Sequence, residues 1–446
     1  MRINLPRPDL FSQVFGEVTG TGLDSSVHGI ATDSREVKAG DLYIALKGKR
    51  TDGHTFLKEL EIDGCAVALV SEKNNELTSL KQIIVEDPLT TIGTIANKWR
   101  KQFQIPTLGI TGTNGKTSTK DLLHHVFQPT QMVHATEKNF NTSIGLPLTL
   151  LLQTEKHTLS ILEMGANQPG DISYLCGISE PSHGLITNIA PAHLEGFGTI
   201  EEVAKEKGEL FQSLEDGISF VNQADDRIKN LSISGDKISY GLSPDCDFPA
   251  NIHQGKDGTL TLLINTEEIK TQSCNLSFAK NVLAAAAVAI TMDVDWETFQ
   301  NRVLSFVQPA GRCQVKHFDD ITVIDDTYNA NLESTIASID YLNAFSKNGR
   351  RLLVFGDMFE LGNHSEIIHE KVGEKCSDAH LDGVFTVGTF TVHTDLRLEN
   401  VELHKHFTSK DELITQLKNI IRKGDKILFK GSRGMAMETV IQGVFE

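Results

Sequence analysis

Between Thr107 and Thr117 the chain reads Thr-Leu-Gly-Ile-Thr-Gly-Thr-Asn-Gly-Lys-Thr, a run whose residue types suit the binding of a polyphosphate. Gly112 and Gly115, with Thr113 and Asn114 between them, let the backbone turn its N–H groups toward anionic oxygens. A helix beginning there adds the positive end of its dipole. Lys116 is placed to reach the outer phosphates, the Thr117 hydroxyl to bind Mg2+, and Ser118 to continue the cradle into the helix. The strict phosphate-loop pattern has a further glycine where this chain has Ile110, so the loop is a variant. Downstream, Glu163 ends one apolar run and His193 follows another. A carboxylate and an imidazole beside a triphosphate can complete the coordination of two Mg2+ ions. Imidazole is an uncommon Mg2+ ligand, so on its own His193 reads equally as a hydrogen-bonded loop residue. Lys207 is the odd one: it interrupts an apolar stripe of Ile200, Val203, Ala204, Leu210, Phe211 and Leu214 at helical spacing. A buried ammonium must snorkel, pair, lose its proton or be modified, for example carbamylated by CO2 into an anion that can help hold a metal. From the residues alone, snorkelling or a salt bridge is the simpler outcome.

These groups need elements that bring them together. Thr107 to Thr111, Leu159 to Glu163 and Leu185 to Ile189 are short β-branched apolar runs separated by helical patterns, including Ser118 to Phe127 with Leu122, Leu123, Val126 and Phe127 on one face. A second series follows at Ile321 to Asp325, Leu352 to Phe355, Val384 to Val387 and Ile427 to Phe429. Both predict open parallel sheets covered by helices, an α/β architecture, and ligands gather at the carboxyl ends of such strands. The first hundred residues are less regular, with turns at Lys38 to Asp41 and Thr51 to Gly53, and predict a smaller α/β module. We therefore expect three domains, 1–86, 87–311 and 312–446.

Composition narrows the function classes. A chain of 446 residues with 39% apolar and 23% charged residues is an ordinary globular protein too long for one core. A net charge of −17 argues against a general nucleic-acid binder, so anionic ligands must be held by local devices. No apolar run is long enough to span a bilayer, and Pro6, Pro8 and Asp9 break any secretory-signal core. The expectation is a cytoplasmic protein. Six scattered cysteines without close pairs are expected to be reduced thiols.

At this point the residues resemble the Mur ligases over nearly the whole chain. Gly112 to Thr117 resembles their ATP loop, Glu163 their Mg2+-binding glutamate, and His193 their metal-binding histidine. Lys207 corresponds to a lysine carbamylated in several members, which favours modification over snorkelling. Asn281 resembles a nucleotide-side asparagine, although the residues alone suggest a helix-start residue. Gly311-Arg312 resembles the family Gly-Arg pair, with an interdomain ion pair as the plainer role for Arg312. Asp326, in Asp325-Asp-Thr-Tyr-Asn-Ala-Asn331, resembles the aspartate that contacts the nucleotide from the third domain, and a helix-capping role is compatible with that. Two departures stand out: Ser277-Phe278 replaces a common His-Asn before Asn281, and Leu332 replaces a common proline.

Within the family, Asp357 to Gly362, Tyr328 to Asn331 and Lys138 to Pro147 resemble the dipeptide-adding branch. The Asp-Asn-Pro-Arg stretch tied to diaminopimelate selection is absent. The resemblance implies a small UDP-substrate module, a central phosphate-loop ATPase domain and a Rossmann-like C-terminal domain. It implies ligation of D-alanyl-D-alanine to a UDP-muramoyl tripeptide through an acyl phosphate, with ATP and two Mg2+ ions, by a monomer without nucleic-acid or membrane partners. Substrate contacts are then expected from Ser34, Arg35, Asn139, Asn141, Thr142, Asn329 and Arg433. The alternatives are another Mur-type or folylpolyglutamate ligase, or a phosphate-loop ATPase switch without ligase activity.

Overall fold

Three sheets organise the chain in the computed structural model, which describes all residues except 24–26, 49–50, 192–193, 257 and 346–347 and the side chain of Leu194. The first sheet orders its strands as Arg2–Asn4, Gly29–Ala31, Leu42–Ile44, Val67–Val70 and Lys81–Ile84, parallel except for the antiparallel first strand.

The second sheet has nine strands in the spatial order Glu267–Lys270, Leu260–Ile264, Phe248–Gln254, Asp236–Gly241, Ile218–Asn222, His183–Ile186, Thr107–Thr111, Leu159–Glu163 and Val133–Ala135. From Thr107–Thr111 the chain winds out to the Val133–Ala135 edge, back through Leu159–Glu163, and then across to His183–Ile186 on the other side. That reversal puts a topological switch point, the usual ligand crevice of such sheets, at the carboxyl end of Thr107–Thr111. The expected all-parallel sheet is corrected at its far edge. Leu260–Ile264 pairs antiparallel with both neighbours, alternates buried and half-buried residues, and turns through Asn265 at φ 55°.

The third sheet orders Gln314–Phe318, Ile321–Asp326, Lys426–Lys430, Arg351–Gly356, Gly383–Val387 and Leu403–Phe407, parallel apart from its first strand. The antiparallel hairpin Gln314–Asp326 turns at Asp319 with φ 50°.

Packing decides how far these sheets act together. Phe11, Ile30 and Leu42 of the first module share one continuous core with Leu146, Leu162 and Leu210 on one face of the second sheet. Helix Pro88–Arg100 makes that bridge with buried Ile92, Ile95, Ala96 and Trp99, the last donating its indole N–H to the Gln153 carbonyl at 3.1 Å. The other face is covered by helix Leu276–Thr291, whose buried Ala284 to Ala287 let it lie close to the sheet and to helix Lys116–Phe127. The third sheet has its own cores on its two faces. All six cysteines are free thiols, and among the described residues no helix is long and apolar enough to cross a membrane.

Candidate active site

The loop Gly112 to Gly115 leaves the sheet at the switch point with Gly112 at φ 143° and Gly115 at φ 81°. A Cβ at Gly112 would stand 1.9 Å from Thr187 Oγ1, so a side chain cannot be added there without moving the neighbouring strand end. The loop is braced from the segment after His183–Ile186. Thr113 N–H donates to the Asn188 carbonyl at 2.9 Å, Asn114 N–H to Asn188 Oδ1 at 2.8 Å, and Thr187 Oγ1 to the Asn114 carbonyl at 2.6 Å. That explains why the strand expected over Leu185 to Ile189 stops at Ile186: Thr187 and Asn188 bond the loop instead. Helix Lys116–Phe127 then begins on Gly115 with no side-chain cap. The orphan N–H groups of its first turn point into the crevice, where an anion can satisfy them.

Charged side chains converge on this helix start. Lys116 Nζ folds back onto the carbonyls of Gly112 at 2.7 Å and Thr113 at 3.2 Å. Its pKa is pushed down, chiefly by burial, with the Arg312 charge acting the same way and Glu163 opposing. Arg312 arrives from the entrance to the third domain and donates from Nη2 to Thr117 Oγ1 at 3.1 Å. Lys207 is buried in helix Ile200–Gln212, which starts on a Thr199 cap. Burial first, and then the Lys116 charge, bring its amine down to about 7, with Glu206 opposing. Cations held this close destabilise one another, and a polyanion between them relieves that repulsion.

Glu163 closes strand Leu159–Glu163 and is 3% exposed. Its Oε1 accepts from Asn141 Nδ2 at 2.7 Å, while its buried Oε2 has no hydrogen-bond partner. A buried carboxylate oxygen without a hydrogen-bond partner, on a side chain whose charge acts on Lys116, suits a hard divalent cation. His193 lies outside the described residues. Among the described residues no cluster of three His, Cys, Asp or Glu forms.

The remaining expected residues fall in four places. Asn281 lies against the phosphate loop, since a Cβ at Gly115 would stand 2.7 Å from Asn281 Oδ1. The Ser277-Phe278 departure is the first turn of this helix: Asn275 caps both N–H groups, and buried Phe278 stacks on Phe306. Asp326 is buried in a network, its carboxylate accepting from Cys313 N–H at 3.2 Å, Ser338 Oγ at 2.6 Å and Lys430 Nζ. Asn329 and Arg433 are exposed at the same strand ends; Asn329 Oδ1 accepts from Arg433 N–H at 3.3 Å, and the Arg433 side chain pairs with Glu438 at 2.7 Å. Asn139 is exposed and Thr142 half-buried in the loop that carries Asn141. Ser34 and Arg35 form a short 3-10 turn in the first module, where the Arg35 guanidinium holds the Asp33 carboxyl down to about 2.

Sequence reasoning missed several partners. Asn114 Nδ2 and Asn188 Nδ2 both donate to Glu333 Oε2 at 2.7 Å, and Asn331 Nδ2 donates to Asn114 Oδ1 at 2.8 Å. These bonds tie the third domain directly to the phosphate loop. Glu206, the buried neighbour of Lys207, accepts from Gly170 N–H at 2.8 Å and Ile172 N–H at 2.6 Å and so fixes the start of helix Asp171–Ser179. Val203 and Leu210, three and four residues away on the same stripe, could have marked it as buried.

Comparison with known proteins gives a consistent picture. Models of the Mur ligase family match three stretches: its catalytic domain over residues 26–100, its middle domain over 110–289 and its glutamate ligase domain over 311–433. The chain is 34% identical over 432 residues to the UDP-N-acetylmuramoyl-tripeptide--D-alanyl-D-alanine ligase of Haemophilus influenzae, covering 93% of each protein. It is 34% identical over 437 residues to the Escherichia coli ligase of the same name, covering 95% of each. Among solved structures it is similar to MurF from Acinetobacter baumannii, with a TM-score of 0.88 and 28% identity over 97% of this chain and 98% of that one. It is also similar to MurF ligase from Thermotoga maritima in complex with ADP, with a TM-score of 0.81 and 29% identity over 93% and 96%.

Proposed function

The chain belongs to the Mur ligase family, and we propose that it joins D-alanyl-D-alanine to a UDP-N-acetylmuramoyl tripeptide with cleavage of ATP, as the names of its relatives describe for them. It is an ATP-dependent ligase that forms a peptide bond. The observation that carries the reading is the convergence of Lys116, Arg312 and Lys207, with Glu163 among them, on an uncapped helix start.

The chemistry follows from that charge pattern. A triphosphate and a substrate carboxylate repel each other, and the helix N–H groups, Lys116 and Arg312 neutralise the former so that the latter can approach. The carboxylate oxygen attacks the γ-phosphorus, the bond to the ADP oxygen breaks, and an acyl phosphate results. The dipeptide amine then attacks the acyl carbon, phosphate leaves, and the amine proton passes to solvent or a nearby base. Thr117 and Glu163 fit Mg2+, with His193 and a carbamylated Lys207 as their proposed co-ligands. Such ions supply neutralisation of the phosphoryl oxygens. A Lys207 amine brought down to about 7 is substantially neutral near pH 7, the form that adds to CO2.

We divide the chain at about residues 86 and 311. The first part takes the UDP end through Ser34 and Arg35; the central part holds ATP with Gly112 to Ser118 and Asn281, and the tripeptide end with Asn139, Asn141 and Thr142. The last takes the dipeptide with Asn329 and Arg433 and completes the nucleotide site with Arg312 and Asp326. The protein works in this reading as a cytoplasmic monomer. The test is ADP release with UDP-muramoyl tripeptide and D-alanyl-D-alanine, singly and together. Release that needs both supports the reading, and release that needs neither makes the protein a simple ATPase.

A further inference from the structure

Arg312 has four side-chain torsions, yet its guanidinium is aimed at the Thr117 hydroxyl. The backbone on both sides of it is fixed. Gly311, at φ 72°, accepts from Tyr328 N–H at 3.1 Å, and a Cβ at Gly311 would stand 3.1 Å from that nitrogen and 3.2 Å from Tyr328 Cβ. On the other side, Cys313 N–H donates to Asp326, which is itself held by Lys430 and Ser338. The side chain is held by a ring: Arg312 Cζ lies 3.9 Å from the centroid of half-buried Tyr328. A flat guanidinium at that distance stacks on the aromatic face and keeps its edge free to donate. Its edge does donate, to Thr117 Oγ1 at 3.1 Å. A second arginine, Arg433, stands 5.9 Å from the same ring but is tied to Glu438, so the close partner of the ring is Arg312.

We propose that Tyr328 is a positioning residue for nucleotide binding, a stacking platform that aims Arg312 at the phosphates bound by the Lys116-Thr117 helix start. The proposal rests on the reading of that loop as the nucleotide site. Without the ring, Arg312 must be immobilised by the nucleotide itself, and the freedom it then loses weakens binding.

The test is calorimetric titration of the full-length protein with Mg·ADP, alongside the KM for ATP and for the UDP-tripeptide. Tyr328→Leu, which keeps bulk but removes the ring, is expected to weaken ADP about 5- to 30-fold. Tyr328→Phe keeps the ring and is expected to restore affinity to within about twofold of native. In an Arg312→Ala background Tyr328→Leu is expected to cost nothing further, because the ring acts only through that arginine. The KM for ATP should rise while that for the UDP-tripeptide holds. Should Tyr328→Leu not fold, Arg312→Lys keeps the charge without the flat face and is expected to lose a comparable factor. Native-like ADP affinity in Tyr328→Leu, or in Arg312→Lys where that variant stands in, overturns the proposal. So do losses that multiply in the double variant. A native protein that gives no ADP binding at all overturns the reading of the loop instead. Binding without ligation of D-alanyl-D-alanine leaves the Tyr328 test intact and removes only the acceptor assignment.

Discussion

Replacing Asn141 by leucine separates two roles for this residue. Its amide donates to Glu163 Oε1 at 2.7 Å, and the other oxygen of that buried carboxylate has no hydrogen-bond partner. Leucine fills similar space but donates nothing, so Glu163 Oε1 loses this donor and joins Oε2 without a hydrogen bond from Asn141. A hydrogen bond to a charged group contributes about 1.5–3 kcal/mol, and part of it orients the carboxylate toward the cation it is proposed to hold. If that orientation is lost, the Mg2+ needed for half-maximal ligation should rise about 10- to 150-fold. The assay is ADP release at saturating substrates across free Mg2+, with the KM for UDP-tripeptide measured at the highest Mg2+. We expect the Mg2+ midpoint to move and the tripeptide KM to stay. An unmoved Mg2+ midpoint with a raised tripeptide KM would refute the reasoning and return Asn141 to the substrate-binding role expected of it from the sequence.

Three further outcomes are expected. Enzyme stripped of CO2 should lose activity and regain it with bicarbonate. At a fixed concentration of dissolved CO2, recovery should quicken as pH rises through about 7, because the neutral Lys207 amine is the reacting form; Lys207→Ala should be indifferent to bicarbonate, and recovery in that variant would contradict the assignment. His134 is buried between Ser160 Oγ and the Thr149 carbonyl, and burial holds it at about 4, below its ordinary value of 6.5. The unfolded chain therefore binds this proton first, and stability should fall by about 3 kcal/mol as pH drops from 6.5 toward 4. Urea midpoints at the two ends of that range should converge in His134→Asn, and an unchanged difference there would count against the site. Glu333→Ala removes two interdomain bonds at an exposed carboxylate. Small-angle scattering should show a more extended average shape for that variant, whereas Glu333→Gln, which keeps the acceptor oxygen, should match the native curve.

Much of the central machinery was legible because its signals are local. Thr107–Thr111 and Leu159–Glu163 are buried throughout, and short runs rich in apolar and β-branched residues mark them. Lys207 drew notice because its type contradicts its place in an apolar stripe. The far edge of the second sheet was harder, since strands such as Glu267–Lys270 bury a single residue and read as polar loop. The partners of the loop were out of reach for another reason. Asn114 meets Glu333 across 219 positions and Lys430 meets Asp326 across 104, and no periodicity records such pairings. Asn188 was hidden by its neighbours: the apolar run Leu185 to Ile189 looks like an unbroken strand, but Thr187 and Asn188 bond the phosphate loop at Thr113 and Asn114.

The central claim is that the helix start at Lys116 receives a triphosphate whose cations are held by Thr117 and Glu163. A crystal structure with Mg2+ and a non-hydrolysable ATP analogue tests it most directly. The account predicts phosphate oxygens on the N–H groups of residues 115–118, the Lys116 ammonium released from the Gly112 carbonyl onto phosphate, and Glu163 Oε2 bound to metal. A nucleotide seated elsewhere, with Lys116 still on Gly112 and Glu163 Oε2 still without a partner, would contradict it.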